Sequence, residues 1–358
     1  MKKILCICLC FVLALSLAGC ALFAPAPEPN PEPDPEPEPE PVYFLNPLTG
    51  VYDRETEYGG RPFAISVNNN EYGLPQSGVS MADIIVEIET EGGITRLMCL
   101  FTEPEKAVGG IGSIRSLRHQ FIEAIYQWDP VIVHIGTSNY TDEYLWARGI
   151  KTMNGYNSES FIYIDQARRE HYDSEHTKFT DAEHLEAGMA DDTFGLSPEW
   201  NPTSKTAFNF APADNPAVLS GGVATKIYYE FSAHYDGDFR YDEATGTYKK
   251  YQHGNAHIDA GNNNVQLAFE NVILLFAPVY GLYGELVDVD YSEGGVGYYF
   301  NNGKYEKIGW EKGEYTDDFV FKNAAGSVMQ INPGRTHLGI VRTSFYDIFT
   351  INGVNPAA

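Results

Sequence analysis

The segment from Asp83 to Phe101 constrains the fold most, because apolar and polar residues alternate on both sides of Gly92-Gly93. Alternation with period two is typical of β-strands, and two glycines supply the positive φ angles of a two-residue hairpin turn. This turn predicts that Glu89 faces Arg96 across the hairpin. One face is then wholly apolar and belongs to the core. The other face carries a row of carboxylates, from Glu87, Glu89 and Glu91.

A helix is predicted after the hairpin, because apolar residues recur at helical spacing between Leu117 and Ile125. Ser113 or Ser116 would cap this helix, which places Arg115 and Arg118 in its first turn. Cations are unfavourable near the positive end of a helix dipole, so the arginines indicate an acidic partner, either the hairpin or a bound anion. The charges form either a structural ion-pair network or a ligand pocket. That pocket would contain Glu87, Glu89, Arg96, Arg115 and Arg118.

The N-terminus is typical of a lipoprotein signal peptide, with two lysines, an apolar run and the lipobox Leu17-Ala18-Gly19-Cys20. We predict cleavage after residue 19 and acylation of Cys20 with palmitate-like chains. The apolar run is short for a membrane span. Cys99 is then the other cysteine of the mature chain, so we expect no intramolecular disulfide. These features predict a protein anchored by lipid to the extracytoplasmic face of the cell membrane.

Residues 20–41 are predicted to form a stalk, because proline alternates with acidic residues from Pro25 to Pro41. Such a sequence favours an extended, self-repelling chain that holds the folded part away from the membrane. The whole sequence has a formal net charge of −25. This charge disfavours nucleic acid and anionic lipid as partners, and leaves cations, basic proteins and neutral glycans.

Two domains are predicted in the remaining chain, at residues 42–205 and 223–345. The first combines strand and helix patterns and includes the buried strand Pro130–Ile135, which contains His134. The segment between the domains is rich in Pro, Asn, Ser and Gly, and the second domain consists almost entirely of strand patterns. The predicted fold class is α+β, with an α/β-like N-terminal half and a mainly antiparallel β C-terminal half.

Several short motifs resemble, in order and spacing, the YerB-like lipoprotein family. They include PQSG, EGGITR, IG-x-x-RS-x-R and VIVHIG in the first domain and INPGRTHLGIV in the second. The resemblance covers nearly all of the chain after Asn46 and implies a layered β-β-α sandwich, in a family of unknown biochemical function. This chain has Asn68 where the family often has Asp, and Thr177 where it often has Asn. The matching polar positions are Asn69, Gln76, Ser77, Asp83, Glu87, Glu91, Arg96, Arg115, Arg118, His134, His176, His257 and Asp259.

No motif in the sequence identifies a reaction. The G-x-S-x-G, Walker, H-E-x-x-H and C-x-x-C patterns are absent. His257 and Asp259 lie in a segment of turn composition, so a zinc site is disfavoured, and we predict no metal and no cofactor. Oxygen-rich loops such as residues 259–264 and 288–293 have the ligand type that Ca²⁺ prefers.

Two main functional hypotheses remain. The favoured one is a non-catalytic envelope lipoprotein that binds a cell-wall glycan or an envelope protein through a polar Glu/Arg/His pocket. The alternative is a hydrolase of an envelope polymer, in which a hairpin glutamate and His134 or His176 act as acid and base. A solute receptor for a transporter is a third possibility, disfavoured because the second half does not repeat the pattern of the first.

Overall fold

The computed structural model describes residues 42–356. The predictions of a signal peptide, an acylated Cys20 and a stalk lie outside this range. From Tyr43 onward the chain forms one compact unit. Within the described range no helix is both long and apolar enough to cross a bilayer.

Between Tyr43 and Met189 the described chain alternates strands with four short α-helices. The helices are α1 (His119–Ile125), α2 (Asn139–Arg148), α3 (Gln166–Arg169) and α4 (Ala182–Met189). The strands are β1 (Phe44–Leu45), β2 (Tyr52–Arg54), β3 (Phe63–Asn68), β4 (Ile84–Glu89), β5 (Thr95–Phe101), β6 (Ile111–Gly112), β7 (Val131–His134), β8 (Met153–Asn154), β9 (Tyr163–Ile164) and β10 (Lys178–Thr180).

The second half is built from strands, as its sequence pattern predicts. They are β11 (Gly222–Val223), β12 (Lys226–Ser232), β13 (Tyr235–Asp242), β14 (Thr247–Gln252), β15 (Asn255–Ala256), β16 (Ile258–Asp259), β17 (Val265–Gln266), β18 (Ala268–Phe269), β19 (Asn271–Ala277), β20 (Val279–Gly281), β21 (Val287–Val289), β22 (Gly295–Asn301), β23 (Lys304–Glu311), β24 (Val320–Lys322), β25 (Thr336–Arg342) and β26 (Thr350–Ile351).

An eleven-stranded sheet unites the two halves of the chain. Its order is β11-β23-β22-β19-β25-β4-β5-β3-β7-β8, with β24 beside β23. The halves meet where β25 runs parallel to β4. The proposed limits of the two domains, 42–205 and 223–345, stay a prediction, because both segments contribute strands to this sheet.

The large sheet is covered on both faces, which gives three layers. A six-stranded sheet, β15-β14-β13-β12-β26 with β18 beside β14, lies against one face. Ile85, Leu97 and Cys99 belong to the core cluster on this side, together with Tyr229 and Phe239 of the small sheet. The opposite face carries Val86 and Met98 and packs against α1. The fold is therefore α+β with β-β-α layering, as predicted.

The predicted register of the central hairpin is wrong by one residue. Thr90 N–H donates to the Ile94 carbonyl over 2.8 Å, so Glu91, Gly92 and Gly93 form a three-residue loop. Both glycines have positive φ, as predicted. Glu89 therefore faces Thr95, and Ile88 faces Arg96.

A shift of one residue moves the side chains of β5 to the other face relative to β4. No wholly apolar face results, and the predicted Glu89–Arg96 pair is wrong. Glu89 instead accepts two hydrogen bonds from Arg342, at 2.8 and 3.0 Å. Every residue of β4 and β5 is buried, so each face had enough apolar residues to be mistaken for the core face.

The predicted start of the helix is also wrong. α1 begins at His119 with Arg118 as its N-cap, and Arg118 makes no side-chain capping bond. Arg115 and Arg118 therefore precede the helix. The segment before the helix is held by main-chain hydrogen bonds to other strands: Ile114 N–H donates to the Lys178 carbonyl and Arg115 N–H to the Ser66 carbonyl, both over 2.8 Å.

Candidate functional site

The carboxylate of Glu87 lies at the centre of a polar network between the two sheets. Glu87 Oε2 lies 3.0 Å from Lys250 Nζ and 3.0 Å from His337 Nε2. Its Oε1 accepts hydrogen bonds from Thr95 Oγ1 at 2.7 Å and from Asn69 Nδ2 at 3.0 Å. All five residues are at most 1% exposed. We call this set the Glu87 network.

The Glu87 network keeps its carboxylate ionised although it is buried. Burial alone would raise the pKa of Glu87, but the ammonium of Lys250 and the donors from His337 and Thr95 outweigh it and hold the pKa well below its usual range. Burial lowers the pKa of His337, so the imidazole is neutral and Nε2–H donates to Glu87. Glu87 is therefore an acceptor at neutral pH and has no proton to give.

Sequence reasoning missed Lys250 and His337, although each left a signal. In β14 the side chains of Tyr248, Lys250 and Gln252 alternate inward and are buried, so the period-two pattern places a lysine on the core face. His337 lies in β25 directly before the apolar run that begins at Leu338. A cation on a core face indicates a buried anionic partner.

Two predicted residues, Gln76 and His257, extend the Glu87 network beyond Asn69. Gln76 Nε2 donates to Asn69 Oδ1 at 2.7 Å and to the Asn68 carbonyl at 3.0 Å, which leaves Gln76 Oε1 as an acceptor. His257 Nε2 lies 2.7 Å from Gln76 Oε1 and therefore carries the proton. The chain of contacts runs from Glu87 through Asn69 and Gln76 to His257.

His257 ends this chain with a free acceptor. Burial, and then the charge of Lys250, lower the pKa of His257 well below its usual value, so the ring is neutral. Its proton lies on Nε2, which leaves Nδ1 as a lone-pair acceptor, and this atom has no hydrogen-bond partner within the described residues. Buried polar atoms without partners are uncommon in native proteins and need an explanation.

A pocket of about 390 Å³ lies beside His257, and we call it the His257 pocket. It is lined by the Leu74–Pro75 segment and by the β14–β16 region. Gln252 also lines it; Gln252 Nε2 donates to Tyr235 Oη at 2.6 Å, whereas Oε1 has no partner in the part of the chain described. Two buried acceptors thus belong to one pocket. The lining residues are Leu74, Pro75, Gln252, His253, Asn255, Ala256, His257 and Ile258.

The arginines form a separate cluster on the other side of the hairpin, so the predicted pocket that joins them to Glu87 and Glu89 is wrong. Glu91 Oε1 accepts from Arg96 at 2.6 Å, and Glu91 Oε2 accepts from Arg118 Nε at 2.9 Å. Arg96 also donates to the Ser116 carbonyl at 2.8 Å. We call these the Glu91 cluster. Its charges are paired with each other, and Arg96 is only 3% exposed.

Arg115 and His176 belong to a third, more exposed group. Arg115 donates to Glu175 at 2.8 Å, and the Glu175 side chain is 57% exposed. His176 Nδ1 lies 2.9 Å from Asn68 Nδ2, and its Nε2 lies 3.2 Å from Glu175. None of these contacts reaches Glu87, so the geometry does not bring His176 to the hairpin glutamate.

The other predicted residues have their partners already. His134 lies 2.8 Å from the Gly136 carbonyl and 2.8 Å from Thr152 Oγ1, and burial lowers its pKa to about 4. Ser77 Oγ donates to the carbonyls of Gly109 and Gly110 at 2.9 Å. Asp259 accepts from the Gly78 and Ser80 amides at 2.9 and 2.8 Å. These residues connect chain segments rather than line a common site.

Other parts of the described chain offer weaker candidates for a metal or ligand site. Across residues 42–356, no group of three or more His, Cys, Asp or Glu side chains is placed to hold a metal. A larger cleft of about 580 Å³ includes Asp83 and Arg335. Asp83 accepts from Thr102, and Arg335 donates to main-chain carbonyls, so its charged groups are already partnered. The His257 pocket is therefore the better candidate.

Comparisons with known proteins agree with this architecture. Residues 48–195 and 226–338 match the N-terminal and C-terminal domains described as "Protein of unknown function (DUF3048)". The chain is 25% identical over 298 residues to "Putative lipoprotein YerB" of Bacillus subtilis (strain 168), covering 82% of this chain and 85% of that protein. The fold resembles the crystal structure of the YerB protein from Bacillus subtilis with a TM-score of 0.69 and 23% identity, covering 83% of this chain and 96% of that one.

Proposed function

The chain belongs to the YerB-like family of two-domain proteins of unknown function, and we propose that it is a lipid-anchored binding protein of the cell envelope. Its ligand would be an envelope component that enters the His257 pocket. The name of the Bacillus relative and the lipobox before Cys20 support the anchor and the extracytoplasmic location.

The pair of unpartnered acceptors carries the binding proposal. His257 Nδ1 and Gln252 Oε1 belong to residues that line one pocket, and neither atom has a donor within the described residues. Leaving such atoms unpaired costs about 1–3 kcal/mol each. A ligand that supplies donors would remove this cost, and movement of the pocket wall would give it access to both atoms.

The surroundings favour a ligand with neutral N–H or O–H groups. The positive charge of Lys250 acts on His257 from inside the protein, which disfavours a second cation there. Leu74, Pro75, Ala256 and Ile258 supply apolar walls, and the volume lies in the range of small-molecule sites. Amide and hydroxyl groups of wall peptides and glycans have this chemistry.

The Glu87 network would support the pocket rather than perform chemistry. It fixes the tautomer of His257 through Gln76 and Asn69, in the way that outer partners orient a functional histidine. A hydrolase that uses Glu87 receives less support, because this carboxylate is 1% exposed and neither His134 nor His176 contacts it.

Thermal unfolding tests the proposal. A fragment from Val42 would be heated alone and with neutral muropeptides, N-acetylated wall glycans and divalent cations. A ligand that binds only the native state stabilises it by about 2.7 kcal/mol at a hundredfold excess over its dissociation constant. We expect a muropeptide or a glycan to raise the unfolding midpoint of the wild-type fragment.

Gln252→Met and Gln266→Met provide a matched pair of variants. Both glutamines donate a side-chain hydrogen bond, but Gln266 donates to the Lys250 carbonyl and does not line the His257 pocket. We expect Gln252→Met to lose the ligand-induced shift and Gln266→Met to keep it. The proposal is wrong if no compound stabilises the wild type, or if Gln252→Met responds as the wild type does.

A further inference from the structure

We propose that a second cleft, between α1, α2 and the β21–β23 region, binds a primary ammonium group. The cleft has a volume of about 570 Å³ and is called the tyrosine cleft here. Five carboxylates and one guanidinium line it. Its principal residues are Glu123, Tyr144, Arg148, Asp288, Tyr291 and Tyr315. This proposal is independent of the His257 pocket.

Glu123 supplies an anion that lacks a cation. The residue is half-buried, and among the described residues no cation lies within ion-pair distance of its carboxylate. Burial raises the pKa of Glu123 above its usual value, and the nearby charge of Asp288 raises it further. The Tyr144 hydroxyl, His119 and Arg148 each lower this pKa, but together they do not outweigh burial. Asp288 itself already lies 2.7 Å from His119 Nε2. An added cation would therefore stabilise the Glu123 carboxylate more than that of Asp288.

Tyr144 supplies a second polar atom, whose acceptor capacity is unused. The residue is 7% exposed, and its hydroxyl makes no hydrogen bond of normal geometry in the region that the structure describes, although it lies close enough to the Glu123 carboxylate to lower the pKa of that group. Burial, and then the charge of Glu123, raise the pKa of Tyr144 well above its usual range, so the phenol is neutral. Its oxygen can accept a hydrogen bond from an ammonium N–H.

Arg148 shows that the aromatic walls already hold a cation. Its guanidinium lies 3.5 Å from the centre of the Tyr144 ring and 5.2 Å from that of Tyr315. Both distances lie within the range of cation–π attraction. Arg148 makes these ring contacts without an ion pair inside the described range, so it is free to move aside for a competing cation.

These observations favour an ammonium group over an anion or a neutral sugar. The excess of carboxylates repels anions, and a neutral hydroxyl would leave the charge of Glu123 uncompensated. An ammonium has three donors and no acceptor, which matches the Glu123 carboxylate and the Tyr144 oxygen. The ammonium can belong to a free amine or to a lysine-type side chain, and the chemistry of recognition is the same.

Calorimetric titration of the full-length chain in a non-ionic detergent tests the proposal. The probes are cadaverine, its neutral counterpart 1,5-pentanediol, and the blocked peptide acetyl-Ala-Lys-Ala-amide. We expect cadaverine to bind and pentanediol not to bind. Binding of the peptide as well would identify a lysine-type side chain as the source, and binding of cadaverine alone would identify a free amine.

Three variants localise the effect. Glu123→Gln should weaken cadaverine binding at least tenfold, because it removes the uncompensated charge. Arg148→Gln should strengthen binding about threefold, because it removes a competing cation; a merely structural role of Arg148 would not produce such a gain. Glu186→Gln, on the exposed side of α4, is the matched control and should bind as the wild type does.

The proposal is overturned if cadaverine produces no binding heat, or if pentanediol binds equally well. It is also overturned if Glu123→Gln and Glu186→Gln bind cadaverine with the same affinity. Binding of N-acetylated glycans at this cleft in place of amines would equally contradict it. Muropeptide stabilisation through Gln252 concerns a different pocket, so either proposal can fail without the other.

Discussion

The Glu87 network and the Glu91 cluster lie only four residues apart in sequence but differ in almost every physical respect. Glu87 is 1% exposed, and its cation, Lys250, comes from a distant strand. The Glu91 side chain is 24% exposed and pairs with Arg96 across its own hairpin loop and with Arg118 beside the helix. Glu87 thus connects the two sheets, whereas Glu91, from the same hairpin, stabilises a local turn.

This difference shows that composition alone does not determine the structural role of a row of charged residues. Both glutamates belong to the same alternating pattern, and only the register decides which partners each one meets. The buried carboxylate depends on a matched cation, because a lone charge in the interior is very costly. The more exposed carboxylate is partly stabilised by water. Four measurements test this contrast.

Loss of the buried cation should have the largest effect. In Lys250→Met the Glu87 carboxylate stays buried without its ammonium, and we expect the free energy of unfolding to fall by about 3–5 kcal/mol. Urea unfolding of the fragment from Val42 measures it. The double variant Glu87→Gln, Lys250→Met should recover part of the loss. A loss as small as that of a surface pair would contradict the buried-pair description.

Mild acid should destabilise the histidine-bearing interior before it affects the Glu91 cluster. Burial lowers the pKa of His134 from 6.5 to about 4, and burial also lowers the pKa of His257 and His337. As the pH decreases, the histidines of the unfolded chain bind protons before those of the folded chain do. The free energy of unfolding is therefore highest above pH 6.5 and falls as the pH decreases toward 4. For His134 alone the loss approaches about 3 kcal/mol, at 1.36 kcal/mol per pKa unit.

The Glu91 carboxylate titrates in a lower pH window. Burial would raise its pKa, but Arg96 and Arg118 outweigh this and lower the pKa to about 2. Its contribution is present above pH 4.5 and is lost as the pH falls toward 2. Urea unfolding from pH 8 to pH 3 should therefore show a loss between pH 6.5 and 4 in both the wild type and Glu91→Gln. No loss in that range would show that the histidines are charged in the native state.

Removal of the Glu91 charge should have an intermediate effect. We expect Glu91→Gln to lower the free energy of unfolding by about 1.5–3 kcal/mol, because two arginines lose a charged acceptor. Added salt should reduce this loss more than it reduces that of Lys250→Met, because screening acts on exposed charges. If Glu91→Gln costs more than Lys250→Met at the same pH and salt, the contrast between the two sites is wrong.

The smallest effect belongs to Arg115. Its partner Glu175 is largely exposed, and pairs of this kind contribute about 0–1 kcal/mol. The free energy of unfolding of Arg115→Ala, measured by urea titration, should therefore lie within about 1 kcal/mol of the wild-type value. A loss above about 2 kcal/mol, the cost typical of a buried partner, would mean that Arg115 supports the interior.

The sequence pattern predicted the strands better than the contacts, and the β-β-α layering was implied by the family resemblance. Strands such as β22 and β25 lie in the second domain, where the pattern predicts strands almost throughout. The hairpin register could not be derived, because both faces of β4 and β5 are buried and apolar residues occur on each. The central carboxylate was predicted, but the identity of its partners depends on strands 163 and 250 residues away. The local pattern can place Lys250 on a core face, but it does not identify the carboxylate that this lysine meets.

The imidazole of His257 offers the most direct test of the central claim, that the Glu87 network presents a neutral histidine with a free Nδ1 acceptor to the pocket. Nitrogen-15 NMR of the ring in the fragment from Val42, recorded between pH 5 and pH 7, distinguishes protonated from unprotonated ring nitrogens. We predict a neutral ring with the proton on Nε2 throughout this range. A charged ring at pH 6, or a proton on Nδ1, would contradict it.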